Sequence, residues 1–426
     1  MRLGTAKLTI TPLKPVRMCG YATRTLPFEG VAEDIWLRVH FLESEETGRR
    51  AVFIYGDLLW WNSRFVERVR PAAAGLAGTP EESIFFVASH NHSGPGTGDC
   101  FTPLLETCDE EYAQWLRSRV LEGIRRSAAQ LEPVEIRRFN GDCAMNVFRR
   151  KWENGKIAMK PNYQAEADRN LTIAAFIRKD GSLKGTMIHY PCHANLSDKN
   201  VIQPDYPGAA LRMMDQNHPG SISIFLQGCT ADLRPNSVLG ERFTACGYEK
   251  VQDFAGEFYQ CCEMVMAGCP VPVRGSLEMD RISLKLPLVR QFTRAQVQRA
   301  AAESDQAVSQ WANKVLEKDM QDSETLEISL IRFGKGLDLF TFNGEVSQDY
   351  AAFARQILPG GICAGYTNGM IGYICTREQI GEGGYEPKDS ALYFALAGTF
   401  APEIEQMIHD RMEELCGSAE KEEERK

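Results

Sequence analysis

Histidine is scarce in this chain, yet four of its seven histidines lie in two short clusters. The first cluster places His90 and His92 two positions apart, directly after a continuous apolar run. Because side chains alternate along a strand, both imidazoles point to the same side if strand geometry persists. Two nitrogen donors on one face at a strand end are part of what a Zn²⁺ site requires. The pair makes a metal site a hypothesis that further donors must support.

The second cluster reads His-Tyr-Pro-Cys-His over 189–193, again at the end of an apolar run. His189 lies inside the strand pattern, which favours a core histidine. His193 lies beyond Pro191 in a polar loop, so it is the better candidate for a metal ligand. We interpret Cys192 as a buried free thiol rather than a ligand.

Carboxylates also follow predicted strands, and a catalytic zinc needs a carboxylate or a third nitrogen. Glu345 lies between an apolar strand and a helical pattern, at the kind of turn where the sites of α/β sheets gather. A glutamate at a helix start is also favoured by the helix dipole, without any role in a site. Asp57, Asp205 and Asp232 hold similar strand-end positions, and each is open between a turn residue and a site residue.

The hydrophobic pattern predicts the elements that must position these residues. Strands are predicted over 8–11, 35–42, 51–55, 84–87, 134–139, 172–177, 186–190, 222–226 and 339–342. Helices are predicted over 64–77, 208–214, 253–266, 293–316, 347–357 and 402–415, and a capping box at Thr107 and Glu110 precedes another helix. No internal repeat or linker is evident. The alternation indicates an α/β fold, a mixed sheet covered by helices in a single large catalytic domain over 1–416, followed by a charged, disordered tail over 417–426.

The composition excludes several classes of protein. With 48 Lys and Arg against 57 Asp and Glu, the 426-residue chain carries a formal charge of −9, which argues against a nucleic-acid partner or an anionic membrane surface. No segment is apolar enough for a signal peptide or stable membrane insertion. Thirteen cysteines, an odd number, do not form a disulfide scaffold. These features predict a cytoplasmic protein with a small-molecule substrate; the oligomeric state stays open.

Several segments, in one order along nearly the whole chain, match the motifs of a known family. They are 4–12, 20–22, 56–57, 89–96, 146–150, 190–193, 344–345, 365–373 and 384–386. With these segments the sequence resembles the N-terminal catalytic domain of the neutral/alkaline non-lysosomal ceramidases and their shorter bacterial relatives. The most specific segment is Ser-His-Asn-His-Ser-Gly-Pro-Gly over 89–96, close to the family's His-Thr-His-Ser-Gly-Pro.

The resemblance implies a set of site residues. The implied Zn²⁺ ligands are His90, His193, Glu345 and Tyr373. The residues implied around the scissile group are His92, Arg149 and Tyr385. In this reading His92 transfers a proton, while Arg149 and Tyr385 stabilise the developing oxyanion.

The sequence departs from the family at one motif. Where the family has Gly-Asp-Val-Ser-Pro-Asn, residues 231–236 read Ala-Asp-Leu-Arg-Pro-Asn, so Arg234 replaces a serine important for amide cleavage. The chain also ends where the family's enzymes continue into an immunoglobulin-like domain, and it lacks their secretion signal. We therefore predict a small soluble substrate other than ceramide. The planar cation of Arg234 suits a carboxylate or phosphate on that substrate, or else forms a structural ion pair.

These inferences lead to one functional prediction and two alternatives. The prediction is a zinc-dependent, amidase-like hydrolase that cleaves an amide (N-acyl) or related acyl bond, with Arg234 among its substrate-binding residues. One alternative is a metal-dependent hydrolase or lyase acting on a sugar-like or hydroxy-acid substrate. The other is a binding protein that zinc stabilises and that has no catalytic activity.

Overall fold

The structure is a computed structural model that describes residues 1–423, with side chains described through residue 417. Within this part, three five-stranded sheets follow one another along the chain. The first contains β1 (Arg2–Thr9), β2 (Trp36–Glu43), β3 (Arg50–Gly56), β4 (Ile84–Ala88) and β5 (Glu132–Pro133). The second contains β6 (Glu135–Asp142), β7 (Asn170–Ile177), β8 (Leu183–Tyr190), β9 (Ile224–Gln227) and β10 (Val271–Val273). The third contains β11 (Glu278–Arg290), β12 (Ser323–Arg332), β13 (Asp338–Phe342), β14 (Ile362–Ala364) and β15 (Gly398–Phe400).

Helices and short ribbons complete the described chain. The helices are α1 (Ser63–Ala77), α2 (Glu110–Ala128), α3 (Asp205–Asn217), α4 (Tyr248–Met266), α5 (Arg294–Ala300), α6 (Gln306–Glu317), α7 (Gln348–Ile357), α8 (Arg377–Glu382), α9 (Ser390–Tyr393) and α10 (Ile404–Glu423). A three-stranded ribbon joins Asn146–Glu153 to Lys156–Asn162 and Leu233–Pro235. A two-stranded ribbon joins Glu345–Val346 to Tyr373–Ile374. Two further short pairs join Gly30–Val31 to Val201–Ile202 and Val238–Leu239 to Arg242–Phe243.

The three sheets are copies of one arrangement. In each, the strands lie in the spatial order fourth, third, second, first, fifth. The third and fourth strands are parallel, and all other neighbours are antiparallel. A helix connects the parallel pair in every case, namely α1, α3 or α7. The chain therefore contains a threefold structural repeat that its sequence does not show.

The predicted α/β class and single domain are confirmed, with the strands divided among several mixed sheets. The predicted helix over 293–316 was wrong as one element, because the structure breaks it into α5 and α6. Asp305 accepts hydrogen bonds from the amides of Ala307 and Val308, at 2.8 and 3.1 Å, and so caps α6. An aspartate at this point competes with helix continuation.

The structure also differs from the sequence prediction at the start of α2 and at the C-terminal end of the chain. The cap of α2 is Asp109, which accepts from the Tyr112 amide at 2.8 Å, rather than the predicted Thr107. Over the predicted tail at 417–426, the backbone continues α10 as far as Glu423, and residues 424–426 lie outside the described part.

The buried strands pack on both faces. All five residues of β4 are buried, as its continuous apolar run predicted. Alternate side chains along β4 enter two different core clusters. The ring of Phe53 stacks on Phe85 at 5.0 Å and on Phe333 at 5.8 Å, so the first and third repeats share a core.

Three hydrogen bonds join the carboxyl ends of the parallel pairs into a ring. The amide of Ala88 donates to the Tyr366 carbonyl at 3.3 Å, which links the first repeat to the third. The amide of Gly365 donates to the Gln227 carbonyl at 3.0 Å. The side chain of Gln227 donates to the Ser89 carbonyl at 3.0 Å and closes the ring. Residues just beyond these strand ends are consequently brought to one place.

Candidate metal centre

Three buried imidazoles meet where the strand ends converge. His90 and His92 come from the first repeat, and His193 comes from the second. The Nε2 atom of His90 lies 2.9 Å from Nε2 of His193 and 3.2 Å from Nε2 of His92. Within the described residues these three side chains form the group whose donor atoms lie within 4.8 Å of one another and could hold a metal ion.

Backbone carbonyls determine the tautomers of two of these histidines. Nδ1 of His90 lies 3.1 Å from the Leu59 carbonyl, and Nδ1 of His193 lies 3.3 Å from the Thr230 carbonyl. A carbonyl only accepts, so each Nδ1 carries the proton and each Nε2 presents a lone pair. Burial lowers the pKa of His90 to about 3, which keeps its ring neutral. Two lone pairs facing each other at 2.9 Å repel, and a cation between them removes that repulsion.

A carboxylate from the third repeat faces the same point. The carboxylate oxygens of Glu345 each lie 3.6 Å from an Nε2 atom, Oε2 from His90 and Oε1 from His193. Among the described residues, Oε1 has no hydrogen-bond partner although it is buried. Burial raises the pKa of Glu345 to about 8. An unpartnered carboxylate oxygen beside two imidazole lone pairs fits the nitrogen and oxygen ligands of Zn²⁺.

The structure brings His90 and His92 together, but not through the strand alternation that the sequence suggested. His90 has a φ of 62°, in the left-handed region, so strand alternation ends before it. The side chain of Asn91 holds this turn by donating to the carbonyls of Asp57 and Gln203, at 3.1 and 2.8 Å. Its oxygen accepts from the Ser93 amide at 2.8 Å. A strained non-glycine residue held by side-chain bonds is typical of a functional site.

The outer side of His92 is enclosed by residues near the N-terminus. The ring of Tyr21 lies 5.0 Å from that of His92. A Cβ atom at Gly20, where φ is 90°, would lie 2.5 Å from Nδ1 of His92. The guanidinium of Arg24 donates to the His92 carbonyl. These contacts fix the position of the ring.

Arg149 reaches the centre from the three-stranded ribbon. Pairing in the ribbon shifts register between Phe148 and Arg150, and such a bulge redirects a side chain. The Nε atom of Arg149 donates to Glu386 at 2.9 Å, and its Nη2 donates to the Tyr373 hydroxyl at 3.2 Å. The same Nη2 lies 3.8 Å from Oε1 of Glu345. Arg150 holds the other oxygen of Glu386 at 2.5 Å, so this carboxylate is clamped between two arginines.

The two predicted tyrosines lie beside Arg149. Tyr373 pairs with Glu345 in a parallel ribbon, which places both side chains at the centre. Burial and the nearby Glu345 hold the pKa of Tyr373 well above its usual value. The half-buried Tyr385 begins a short π-helical turn, and its ring lies 5.7 Å from that of Tyr373. The structure thus brings all four predicted metal ligands, together with His92, Arg149 and Tyr385, into one region.

Arg234 lies nearby, but the ion pair that the sequence left open is not found among the described residues. Its guanidinium stacks 4.7 Å above the Phe243 ring, and its Nη1 lies 3.9 Å from the Met159 sulfur. With the Asn195 amide oriented so that its oxygen faces Arg234, that oxygen accepts from Nε and Nη2 at 3.3 and 3.2 Å. These contacts are all with neutral groups.

The three strand-end aspartates are saturated with hydrogen bonds. Asp57 accepts from the Trp36 amide at 2.8 Å and the Tyr55 hydroxyl at 2.5 Å. The partners of Asp205 are the amides of Tyr206 and Leu196, at 2.7 and 3.1 Å. The partners of Asp232 are the Gln348 amide and the Gln379 side chain, at 3.1 and 2.7 Å. Each aspartate therefore braces a loop, which favours the turn-residue interpretation.

The remaining sequence candidates have core positions. His189 bonds the Cys363 carbonyl at 2.7 Å through Nε2, and its core assignment is confirmed.

A cleft of about 1080 Å³ opens beside Arg150, but of the described residues that line it, none is a histidine of the centre. The candidate metal centre is therefore separate from this cleft.

Sequence reasoning missed Tyr366 and Thr230. The Tyr366 ring stacks on His90 at 4.1 Å, and its hydroxyl lies 2.6 Å from Oγ1 of Thr230. The Thr230 carbonyl in turn orients His193. Both follow the fourth strand of their repeat, a relation that becomes visible only in the tertiary structure.

Comparison with known proteins agrees with this arrangement. A family model described as neutral/alkaline non-lysosomal ceramidase, N-terminal, matches residues 1–280. The neutral ceramidase of Pseudomonas aeruginosa is 24% identical over 249 residues, which cover 55% of this chain and 37% of that protein. The alignment thus spans little more than a third of the curated relative.

Solved structures share the fold over almost the whole chain. The crystal structure of neutral ceramidase from Pseudomonas aeruginosa superposes with a TM-score of 0.77 at 19% identity, covering 97% of this chain and 73% of that one. A structure titled ceramidase complexed with C2 has a TM-score of 0.79 at 16% identity, covering 99% and 75%.

Proposed function

The chain belongs to the neutral/alkaline non-lysosomal ceramidase family, and from this membership we propose that it is a metal-dependent hydrolase of an amide (N-acyl) or related acyl bond. One observation carries the proposal. Two imidazole lone pairs and an unpartnered carboxylate oxygen converge from three different repeats. The guanidinium of Arg149 approaches Oε1 only to 3.8 Å, beyond hydrogen-bond distance, so a cation at the centre would satisfy acceptors that these residues leave open.

We assign the metal to His90, His193 and Glu345, with Tyr373 beside them as the fourth ligand. When bound, Zn²⁺ polarises the acyl carbonyl and makes water a nucleophile near neutral pH. The carbonyls of Leu59 and Thr230 hold the two imidazoles in the ligating tautomer.

The other residues of the centre act on the acyl bond that is cleaved. In the hydrolysis, a water oxygen bonds to the acyl carbon, the C–N bond breaks, and the leaving nitrogen takes a proton. His92 is placed to carry that proton, because its ring lies at the edge of the centre beside Tyr21. Arg149 and Tyr385 stabilise charge on the carbonyl oxygen. Glu386 clamps Arg149 so that its guanidinium does not move during the reaction.

A second assignment for His92 has its own support. Its Nε2 lies 3.2 Å from that of His90, close enough to make it a metal ligand instead of a proton carrier. Metal content of the His92→Ala variant separates the two roles. Retained metal with lost turnover supports proton transfer, and lost metal supports ligation.

The proposal also concerns the identity of the substrate. The relative is named a neutral ceramidase, and ceramide is therefore one substrate to test. Our expectation of a small soluble amide other than ceramide stays a prediction, as does the cytoplasmic location. Among the described residues no helix combines the length and apolarity needed to cross a membrane.

The central test is the His90→Ala variant, with His218→Ala as the matched control. His218 is a half-buried histidine that bonds Glu263 at 2.8 Å, outside the centre. We expect His90→Ala to lose bound metal and all turnover of N-acyl amides while its circular dichroism is unchanged. Stoichiometric metal in this variant would refute the assignment.

The two alternatives are separated by other measurements. Turnover of glycosides or lactones, with none of amides, supports a sugar or hydroxy-acid substrate. A metal site with no exchangeable water, in a protein inactive on every substrate, supports a binding protein.

A further inference from the structure

Arg234 is a recessed cation with no counter-charge among the described residues. Its contacts are the Asn195 amide oxygen, the Met159 sulfur and the Phe243 ring. A guanidinium has five N–H donors, and one amide oxygen and a thioether do not satisfy them. The side chain is half-buried, so solvent or a ligand can reach it.

Several arginines of low exposure have carboxylate partners, and the buried Arg24, which has none, donates instead to four backbone carbonyls. Arg38 pairs with Asp215 at 2.6 Å, and Arg70 pairs with Glu327 at 2.9 Å. Arg149 pairs with Glu386 at 2.9 Å. Desolvating a charge is costly unless it is paired or fully hydrogen-bonded, and Arg234 has neither a carboxylate partner nor a set of acceptors like that of Arg24.

The ribbon brings Arg234 close to Arg149 along the strand pairing, although the bulge between Phe148 and Arg150 sets the direction of the Arg149 side chain. Arg234 lies opposite Val147 in an antiparallel register, and Arg149 is two positions further along that strand. Diagonal neighbours of this kind lie about 7 Å apart. An anion held by Arg234 would therefore lie only a few bonds from a carbonyl oxygen held by Arg149.

A second guanidinium lies beside the centre, because Arg24 donates to the His92 carbonyl. The guanidinium of Arg24 lies 4.7 Å from the centre of the Tyr21 ring, and that ring lies 5.0 Å from the ring of His92. The approach to the centre is thus positively charged, although the whole chain is acidic.

We propose that Arg234 binds an anionic oxygen group, a carboxylate or a phosphate, on the amine portion of the substrate. The planar fork of a guanidinium bonds such a group with two parallel hydrogen bonds. The Asn195 oxygen holds the Nε edge, so the anion would bond the outer edge, through Nη1 and the second N–H of Nη2, in place of the weak contact with the Met159 sulfur. This inference rests on the proposed amide hydrolysis and makes Arg234 the residue that selects among amides.

The test uses the metal-loaded full chain and four probes of equal acyl length. They are N-lauroylglycine, N-lauroylethanolamine, N-lauroyl-phosphoethanolamine and a C12 ceramide. The first two differ in a carboxylate against a hydroxyl, and the third distinguishes phosphate from carboxylate. Released laurate gives kcat/KM, and calorimetry gives Kd for each probe independently of turnover.

We expect the unmodified chain to prefer an anionic probe over N-lauroylethanolamine by at least about tenfold. Arg234→Ser should lower kcat/KM for that anionic probe by about 10²-fold, with little change for the neutral amide. Arg234→Lys should restore part of the preference, because it keeps the charge without the fork. Arg242→Ser, at an exposed arginine of the short pair Val238–Leu239 and Arg242–Phe243, is the matched control and should change neither value.

The outcomes separate the two proposals. Equal losses on anionic and neutral probes, or a preference for N-lauroylethanolamine or ceramide in the unmodified chain, overturn the role of Arg234. If no probe is hydrolysed, but the anionic probes bind the unmodified chain and not the Arg234→Ser variant, the result refutes the proposed hydrolysis and supports the anion site. If no probe is hydrolysed and binding is indifferent to Arg234, both fail.

Discussion

Two sets of buried polar residues lie at the same strand ends and differ in one respect. Asp57, Asp205 and Asp232 have their oxygens occupied by amide and side-chain donors. In contrast, His90 and Glu345 present lone pairs to one another, with Oε1 of Glu345 unpartnered among the described residues. A buried carboxylate whose oxygens all accept hydrogen bonds stabilises the fold. A buried acceptor without a hydrogen-bond donor indicates that a ligand completes the site.

The arginines repeat this contrast on one small ribbon. Arg149 has two hydrogen-bond partners in Glu386 and Tyr373, so its position is fixed before any substrate binds. Arg234 has only neutral contacts. A charge held in position before binding, as in Arg149, suits the proposed stabilisation of the reacting atoms. A charge without an ionic partner, as in Arg234, suits the proposed binding of an anionic group on the substrate.

The largest effect that we expect to separate the two sets is on metal affinity. Glu345→Gln keeps the shape of the side chain but removes its charge, and should weaken metal binding by about 10³-fold, or about 4 kcal/mol. Titration with a competing chelator measures this affinity. Asp57→Asn, at a saturated carboxylate, should leave it unchanged. Equal losses in both variants would contradict the contrast.

A buried carboxylate that accepts several hydrogen bonds should still lower the free energy of unfolding when it ionises. The cost of burying its charge exceeds the stabilisation that these hydrogen bonds give to the charged form. Glu106 accepts from Thr97, Gly98 and Asn62, yet burial raises its pKa from 4.5 to about 7. The folded state binds this proton more tightly than the unfolded state. Its stabilising contribution is full below about pH 4.5 and is lost as the pH rises to about 7, by roughly 3 kcal/mol.

Urea denaturation at several pH values tests this expectation. The free energy of unfolding of Glu106→Gln should fall less steeply between pH 5 and 7.5 than that of the unmodified chain. Parallel curves for the two proteins would show that Glu106 does not titrate in this range.

Breaking a saturated aspartate should affect stability and spare the metal. In Asp232→Ala the Gln348 amide and the Gln379 side chain lose their acceptor. The free energy of unfolding should fall by about 1–3 kcal/mol, with stoichiometric metal retained. Asp198→Ala, at an exposed aspartate, is the control. Metal loss in Asp232→Ala would place Asp232 in the centre instead of the scaffold.

The smallest expected effect concerns the support of His92. Gly20→Ala places a Cβ atom 2.5 Å from Nδ1 of His92 and should lower turnover about tenfold by displacing the ring. Gly48→Ala carries a similar backbone strain, with φ at 69°, but meets no atom within 4 Å. It should therefore leave turnover unchanged. A loss of metal in Gly20→Ala alone would show that His92 is a ligand.

Much of the local structure could be predicted because it depends on neighbouring residues. The apolar run over β4 predicted a strand buried on both faces, and the loop position of His193 distinguished it from the core residue His189. The break between α5 and α6 was missed, since Asp305 acts as a cap where the apolar periodicity continues.

The sequence by itself determined which residue types stand at the strand ends, and its motifs identified the family. Only the tertiary structure decided that three repeats point their strand ends at one place, through the bonds among Gln227, Ser89 and Tyr366. It also decided that His90 turns left-handed and that Arg234 has no carboxylate partner among the described residues. Periodicity and capping act over a few residues, whereas convergence and charge pairing join residues more than a hundred positions apart. Such long-range contacts leave no local pattern to read.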